Sequence, residues 1–244
     1  MTVDVLAIGA HPDDVEICCG GTLVQMARAG RRVGILHLTS GEAGTRGTTD
    51  ERRKEATHAA EILGAHELEF LALGDGAMRT GPEEEDQVIE VLRRLRPELV
   101  LGPATVDRHP DHERAYRVVA AACFYAGLVR RGSGKPHRPA ALFTYMQNDS
   151  FEPSFVVDVT SAWETKMRAL DAYGTQLHPG AGAAEGKPAD GPVTKISSRE
   201  TRLMIDGRAR HYGDQIGAEF GEPYLSRRPL AVADPWQLLP GGIR

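Results

Sequence analysis

Two segments, GAHPDDVE (Gly9–Glu16) and DRHPDH (Asp107–His112), each gather imidazoles and carboxylates within a few residues. In a turn or a first helical turn, positions i and i+3 face the same way. That pairs His11 with Asp14 and His109 with His112, and turns Asp13 elsewhere. A catalytic zinc takes three nitrogen or oxygen ligands and keeps one position open for water. His11, Asp14 and His112 supply two imidazoles and a carboxylate of that kind, which leaves Asp13 and His109 at the metal's edge. Water on such an ion has a pKa of about 7. Asp13 is then placed to take its proton as general base and pass it to a leaving amine, and a protonated His109 to stabilise a tetrahedral oxyanion. Together these make metal-assisted amide hydrolysis. A lone His-Pro-Asp is more often an Asp-capped turn with its φ fixed by proline; two of them at the ends of two predicted strands favour the metal site. Imidazole-carboxylate sets bind iron and other divalent ions as well as zinc.

The elements that must position these residues can be read from apolar patterning. Val3–Ile8 is a β-branched run that predicts a buried parallel strand. A helix follows over about Gly21–Ala29, closed by Gly30, and Arg32–Thr39 predicts a second strand, completing a βαβ unit. Asp50 is placed to cap a helix running to Gly64. Leu68–Leu73, Glu84–Leu95 and Leu99–Gly102 then read as strand, helix and strand. This alternation predicts an α/β fold: a Rossmann-like, doubly wound, mostly parallel sheet with helices on both faces, in one domain over residues 1–244. Ligands gather at the carboxyl ends of such strands, where both chemical segments fall. Further along, FTYMQ and SFVVDVT read as strands, SAWETKMRALDAYG and Ser197–Tyr212 as helices, and Gly174–Pro192 as a loop.

The chain has 244 residues, 41% of them hydrophobic, and a formal charge of −5. No global positive field is available to collect nucleic acid or anionic lipid, so a small-molecule substrate is the default. No apolar run reaches about 18 residues, and the N-terminus lacks the basic region of a signal peptide; the expectation is a soluble, cytoplasmic protein. Cys18, Cys19 and Cys123 show no CxxC spacing and are read as reduced thiols. Cys18 and Cys19 are soft donors near the first segment, but imidazole and carboxylate groups stand at better spacing.

AHPDDVEICCGGTL, LTSGEAGTRGT, ERRKEA, DRHPDHERA and RARHYGDQIGAEFGEPY together resemble the LmbE/PIG-L family of zinc-dependent N-acetylglucosaminyl deacetylases, from Ala7 to about Leu230. Within it, GEAGTRGT and GDQIGAEFGEPY make the chain most similar to the bacillithiol-biosynthesis branch, which acts on N-acetylglucosaminyl malate. The resemblance implies Zn2+ on His11, Asp14 and His112, Asp13 as general base, His109 as the oxyanion-stabilising histidine and Arg52 at the substrate. It also implies a sugar-conjugate substrate and a homo-oligomer. An arginine at position 52 can grip a substrate carboxylate bidentately, orient Asp13, or lie on a solvated helix face as Arg53 is expected to. Ser40, Gly41 and Glu42 resemble substrate-loop residues, and a simple turn explains them nearly as well. Where the broader family reads HPDDE, this chain has Val15 before Glu16, and some relatives carry a tyrosine where Pro192 stands. Arg208 and Arg210 are candidates to reach a malyl carboxylate, with helix-face charge as the commoner reading. His37 is expected to be a satisfied core group.

Two alternatives stand beside this reading. The first is a deacetylase of the same family acting on another amide, such as the mycothiol precursor, a thiol conjugate or an N-acetyl chitooligosaccharide. The second is a nucleotide-binding Rossmann module; against it, GAHPDD is not GxGxxG, and two aspartates repel a pyrophosphate.

Overall fold

The computed structural model describes residues 1–177 and 194–235. Seven strands, β1 (Val5–Gly9), β2 (Val33–His37), β3 (Glu67–Phe70), β4 (Leu99–Gly102), β5 (Ala141–Tyr145), β6 (Phe155–Asp158) and β7 (Gly221–Ser226), form one sheet in the order β3-β2-β1-β4-β5-β7-β6. β1 to β5 pair in parallel, and β7 runs antiparallel between β5 and β6. The mostly parallel α/β architecture read from the sequence is the one observed.

The helices are α1 (Asp14–Arg28), α2 (Thr49–Leu63), α3 (Pro82–Leu95), α4 (Pro110–Tyr125), α5 (Trp163–Asp171), α6 (Gly174–Leu177) and α7 (Arg199–Asp214). Successive side chains of a strand point to opposite faces, and β1 divides accordingly. Val5 and Ala7 enter the core beneath α1, α2 and α5, whereas Leu6 and Ile8 enter the core beneath α3 and α4. Burial on both faces is why β1 reads as an unbroken apolar run. The chain winds from β1 outward through β2 to β3, then returns to place β4 on the other flank of β1. This reversal opens a crevice at the carboxyl ends of β1 and β4, the position where open α/β sheets bind ligands. GAHPDD begins at Gly9, the last residue of β1, and DRHPDH begins at Asp107 in the loop that follows β4.

Several boundaries differ from the sequence reading. α1 begins at Asp14 rather than near Gly21, because the HPDD turn is itself the helix start: the Ile17 amide already donates to the Asp13 carbonyl at 2.9 Å. Gly20-Gly21 lies inside the helix for a packing reason. A Cβ on Gly21 would stand 2.8 Å from Val159 Cβ and 3.0 Å from Glu222 Oε1. Thr48, not Asp50, caps α2, forming a reciprocal capping box with Glu51. α4 was hidden by the His, Pro and Asp residues that fill its first turn, and β7 by Gly221 and Pro223, which depress strand propensity. Within the predicted Gly174–Pro192 loop, Gly174–Leu177 is a short helix; the rest, with His178 and Pro192, lies outside the described residues.

β7 ties the late motif to the first helix. Glu222 accepts from the Gly21 and Thr22 amides at 2.9 and 2.8 Å and from Thr22 Oγ1 at 2.6 Å, and pairs with Lys166 Nζ at 2.7 Å, all buried. Glu222 thereby fixes α1, which carries Asp14. No helix among the described residues is long and apolar enough to cross a membrane.

Candidate metal centre and cleft

The crevice brings the two chemical segments together. His11 Nδ1 lies 3.5 Å from Asp14 Oδ2, and His112 Nε2 lies 3.2 Å from Asp14 Oδ1. One donor atom from each of the three residues falls within 4.8 Å of the other two, and all three side chains are buried. Asp14 is held in place by the His11 amide, which donates to Oδ2 at 2.9 Å, and by Gln147 Nε2, which donates to Oδ1 at 3.1 Å. The second nitrogen of each histidine also faces a carboxylate. His112 Nδ1 lies 2.9 Å from Asp107 Oδ1, and His11 Nε2 lies 3.1 Å from Asp75 Oδ1 and 3.5 Å from Asp111 Oδ2. Metal-binding histidines ordinarily have such partners, which fix ring orientation and tautomer. Two imidazoles and a carboxylate with outer carboxylates fit a divalent cation with an open position. A second set, His11, His109 and Asp111, also places donors within 4.8 Å but shares His11 and is less buried.

The electrostatics follow from burial and these pairings. Burial alone would push Asp14 up, but the His112 and His11 charges outweigh it and hold the carboxyl well below its ordinary range. Burial likewise opposes protonation of His112, yet Asp14 and Asp107 raise it to about 9. A cation would replace the protons these imidazoles attract, so the pocket is built for positive charge.

Asp13 does not join this set. Its carboxylate is buried, and burial raises its pKa to about 7 against the opposing pull of Arg52, whose Nη2 lies 3.6 Å from Asp13 Oδ2. A carboxylate with a pKa near neutrality suits a general base. His109 is the N-cap of α4 and accepts from the Asp111 amide through Nδ1 at 3.2 Å. Burial, then the His11 and His112 charges, lower its pKa. The oxyanion role read from the sequence was conditional on a protonated His109. The geometry instead favours a neutral ring with its proton on Nε2, which still donates a hydrogen bond to a developing oxyanion.

Arg52 lines the cleft but is 4% exposed, with Nη1 donating to the Gly41 carbonyl at 3.0 Å and Nη2 to the Pro12 carbonyl at 2.9 Å. Arg53, read as solvated, is exposed yet donates to Ser40 Oγ at 2.9 Å and lies over the Phe70 ring. Glu42 accepts from the Asp75 amide at 3.1 Å and so fixes the turn that presents Asp75. His37 is not the satisfied core group expected. It is fully buried, neither ring nitrogen has a hydrogen-bond partner among the described residues, and Nε2 lies 3.9 Å from the Glu16 carboxyl group. Cys18 lines the cleft, but burial pushes its thiol up to about 12, which disfavours the thiolate that binds metal.

Asp75, Asp107, Asp111 and Gln147 went unassigned in the sequence reading. Asp107 and Asp111 belong to the DRHPDH segment, and their nearness to two histidines was the available signal. Asp75 and Gln147 come from separate loops, and nothing local marks them. The cleft has a volume of about 280 Å³. Beyond the polar floor, Ile17, Ile196 and Met204 supply apolar wall, and Arg108, Lys195 and Arg208 supply cations. Arg208 donates to the Gln147 carbonyl. Arg210 faces away, pairing with Asp206 at 2.9 Å and Glu219 at 3.3 Å.

Residues 6–123 match the family described as PIG-L, GlcNAc-PI de-N-acetylase. The chain is 31% identical to the diacetylchitobiose deacetylase of Thermococcus kodakarensis over 192 residues, 71% of this chain and 70% of that protein. It is 29% identical to the 4-oxalmesaconate hydratase of Pseudomonas putida, over 71% of this chain and 74% of that protein. Among solved structures, the conserved protein TT1542 from Thermus thermophilus superposes with a TM-score of 0.85 at 35% identity, covering 96% of this chain and 99% of that one.

Proposed function

The chain belongs to the PIG-L family of de-N-acetylases, and from that premise we propose that residues 1–244 act as one domain that removes the N-acetyl group of an anionic N-acetylglucosamine conjugate, N-acetylglucosaminyl malate in bacillithiol biosynthesis. The observation that carries this reading is the His11, Asp14 and His112 donor set with Asp13, a buried carboxylate held 3.6 Å from Arg52 Nη2, beside it. The proposed cation is Zn2+, held by His11, Asp14 and His112; when bound it polarises the amide carbonyl and acidifies a water. Asp13 takes the proton of the attacking water and returns it to the departing amine, so the product is a free amine with acetate. His109 donates through Nε2 to the oxygen that gains charge. Asp13→Asn is expected to keep the metal and lower turnover by about 10²–10⁴-fold.

The substrate assignment is supported by Arg108, Lys195 and Arg208, three cations that line the cleft in addition to the buried Arg52. A neutral disaccharide has no use for them; a dicarboxylate aglycone does. The test is acetate release from N-acetylglucosaminyl malate, set beside its inositol analogue and N,N′-diacetylchitobiose. Preference for the malate conjugate, lost in Arg208→Ala through a raised KM, supports the reading. Equal or better turnover of the neutral compounds overturns it in favour of another sugar amide.

The same cations favour one second reading. The Pseudomonas putida relative is named a hydratase. Adding water across an activated double bond of an unsaturated polycarboxylate needs the same base, the same oxyanion donor and a cationic clamp. Hydration of 4-oxalmesaconate without any deacetylation would select it.

A further inference from the structure

Asp13 has φ 104 and ψ −28, a left-handed backbone that L-residues rarely adopt; Arg96 is the other non-glycine residue with positive φ among those described. Such a conformation persists only where the surroundings impose it, and it clusters at functional sites. The peptide that enters Asp13 carries the Pro12 carbonyl, and that oxygen accepts from Arg52 Nη2 at 2.9 Å. The other terminal nitrogen, Nη1, holds the Gly41 carbonyl at 3.0 Å. Each terminal nitrogen therefore has one N–H on main chain, and Nη2 also lies 3.6 Å from Asp13 Oδ2. The loop is shaped around them: Gly41 has φ 71, and a Cβ there would stand 1.7 Å from Arg52 Nη1. A lysine ammonium is a point charge and does not reproduce this planar two-pronged grip.

We infer that Arg52 is a positioning residue, whose guanidinium clamps the Pro12 and Gly41 carbonyls and so holds Asp13 in the strained backbone that aims its carboxylate. This rests on the reading of Asp13 as the general base, and it replaces the expectation that Arg52 binds substrate. Removing the clamp lets the Pro12–Asp13 peptide relax and turns the carboxylate away from the attacking water, while the metal ligands keep their own supports in Gln147, Asp75 and Asp107.

Three metal-loaded variants test it: Arg52→Gln removes the clamp, Arg52→Lys keeps the charge without the fork, and Gly41→Ala displaces an intact guanidinium. Crystal structures report the Asp13 backbone, metal analysis reports the centre, and kcat and KM are measured on the malate conjugate and on neutral N,N′-diacetylchitobiose. The expected result is that Asp13 leaves the left-handed region in Arg52→Gln and Gly41→Ala. Metal content stays as in the wild type, and kcat falls by about 100-fold on both substrates with KM unchanged. Arg52→Lys should not rescue. The inference is overturned if Asp13 keeps its φ in both variants, or if kcat is intact and KM rises on the anionic substrate alone. Should the wild-type protein turn over neither compound, the functional reading fails while the Asp13 backbone still decides the clamp. Should Gly41→Ala not fold, the Arg52→Gln structure decides it.

Discussion

Asp107 Oδ1 lies 2.9 Å from His112 Nδ1, on the opposite side of the ring from Asp14. The same carboxylate accepts the His109 amide at 2.9 Å and the Asn148 amide at 2.7 Å, so one side chain sets the tautomer of His112 and ties the loops after β4 and β5 together. With its proton directed at Asp107, the ring offers Nε2 as a lone pair toward a cation.

Asp107→Asn keeps the shape and removes the charge. It is expected to weaken metal binding by about 10–100-fold, read by competition with a chelating dye, and to lower the thermal midpoint, because its NH2 faces a donor that the carboxylate accepted. Unaltered affinity would mean that packing alone orients His112.

Glu16 and His37 form a buried pair behind the cleft, and burial leaves both uncharged near pH 6, with Glu16 raised to about 8 and His37 lowered to about 4. Between 4.5, the ordinary value for Glu16, and about 8, the native state holds a proton that the unfolded chain has released. Stability therefore falls as pH rises through that window, by up to roughly 1.4 kcal/mol per unit. His37 acts in the opposite direction between about 4 and its ordinary 6.5, so the wild-type curve alone does not isolate Glu16. Urea unfolding of Glu16→Gln against the wild type does: the variant should gain on the wild type steadily from pH 5 to pH 8. Parallel curves would show that Glu16 ionises as an ordinary surface carboxylate.

Removing Glu222 strands Lys166 without a counter-charge at 3% side-chain exposure. Breaking a buried ion pair in this way costs about 3–5 kcal/mol, so Glu222→Ala should lower unfolding free energy by that order. Adding Lys166→Met should recover part of the loss, because the uncompensated charge is gone. A single-variant cost below about 1 kcal/mol would place the pair with weak surface bridges.

Periodicity in the sequence was enough for the parallel half of the sheet, because β1, β2 and β4 are buried on both faces and their apolar runs are unbroken. The core of the site was legible for a related reason: His11, Asp13 and Asp14 share one turn and His109 and His112 another. The antiparallel strand β7 was not legible, since its residues serve Glu222 and a sheet partner rather than an alternating pattern. Asp75 and Gln147 escaped notice because they meet the site only in three dimensions. The role of Arg52 was open in the sequence, where its type permits a substrate clamp or a structural one. Its burial and the two main-chain carbonyls it binds can be seen only after folding.

His11, Asp14 and His112 are proposed to hold one divalent cation jointly. Calorimetric titration of the dialysed protein with zinc, repeated on His11→Ala, Asp14→Ala and His112→Ala, measures it directly. Roughly one tight equivalent per chain is expected in the wild type and in Asp13→Asn, with loss of that binding in each of the three ligand variants. Wild-type protein that takes up no metal, or ligand variants that bind as tightly as the wild type, would contradict it.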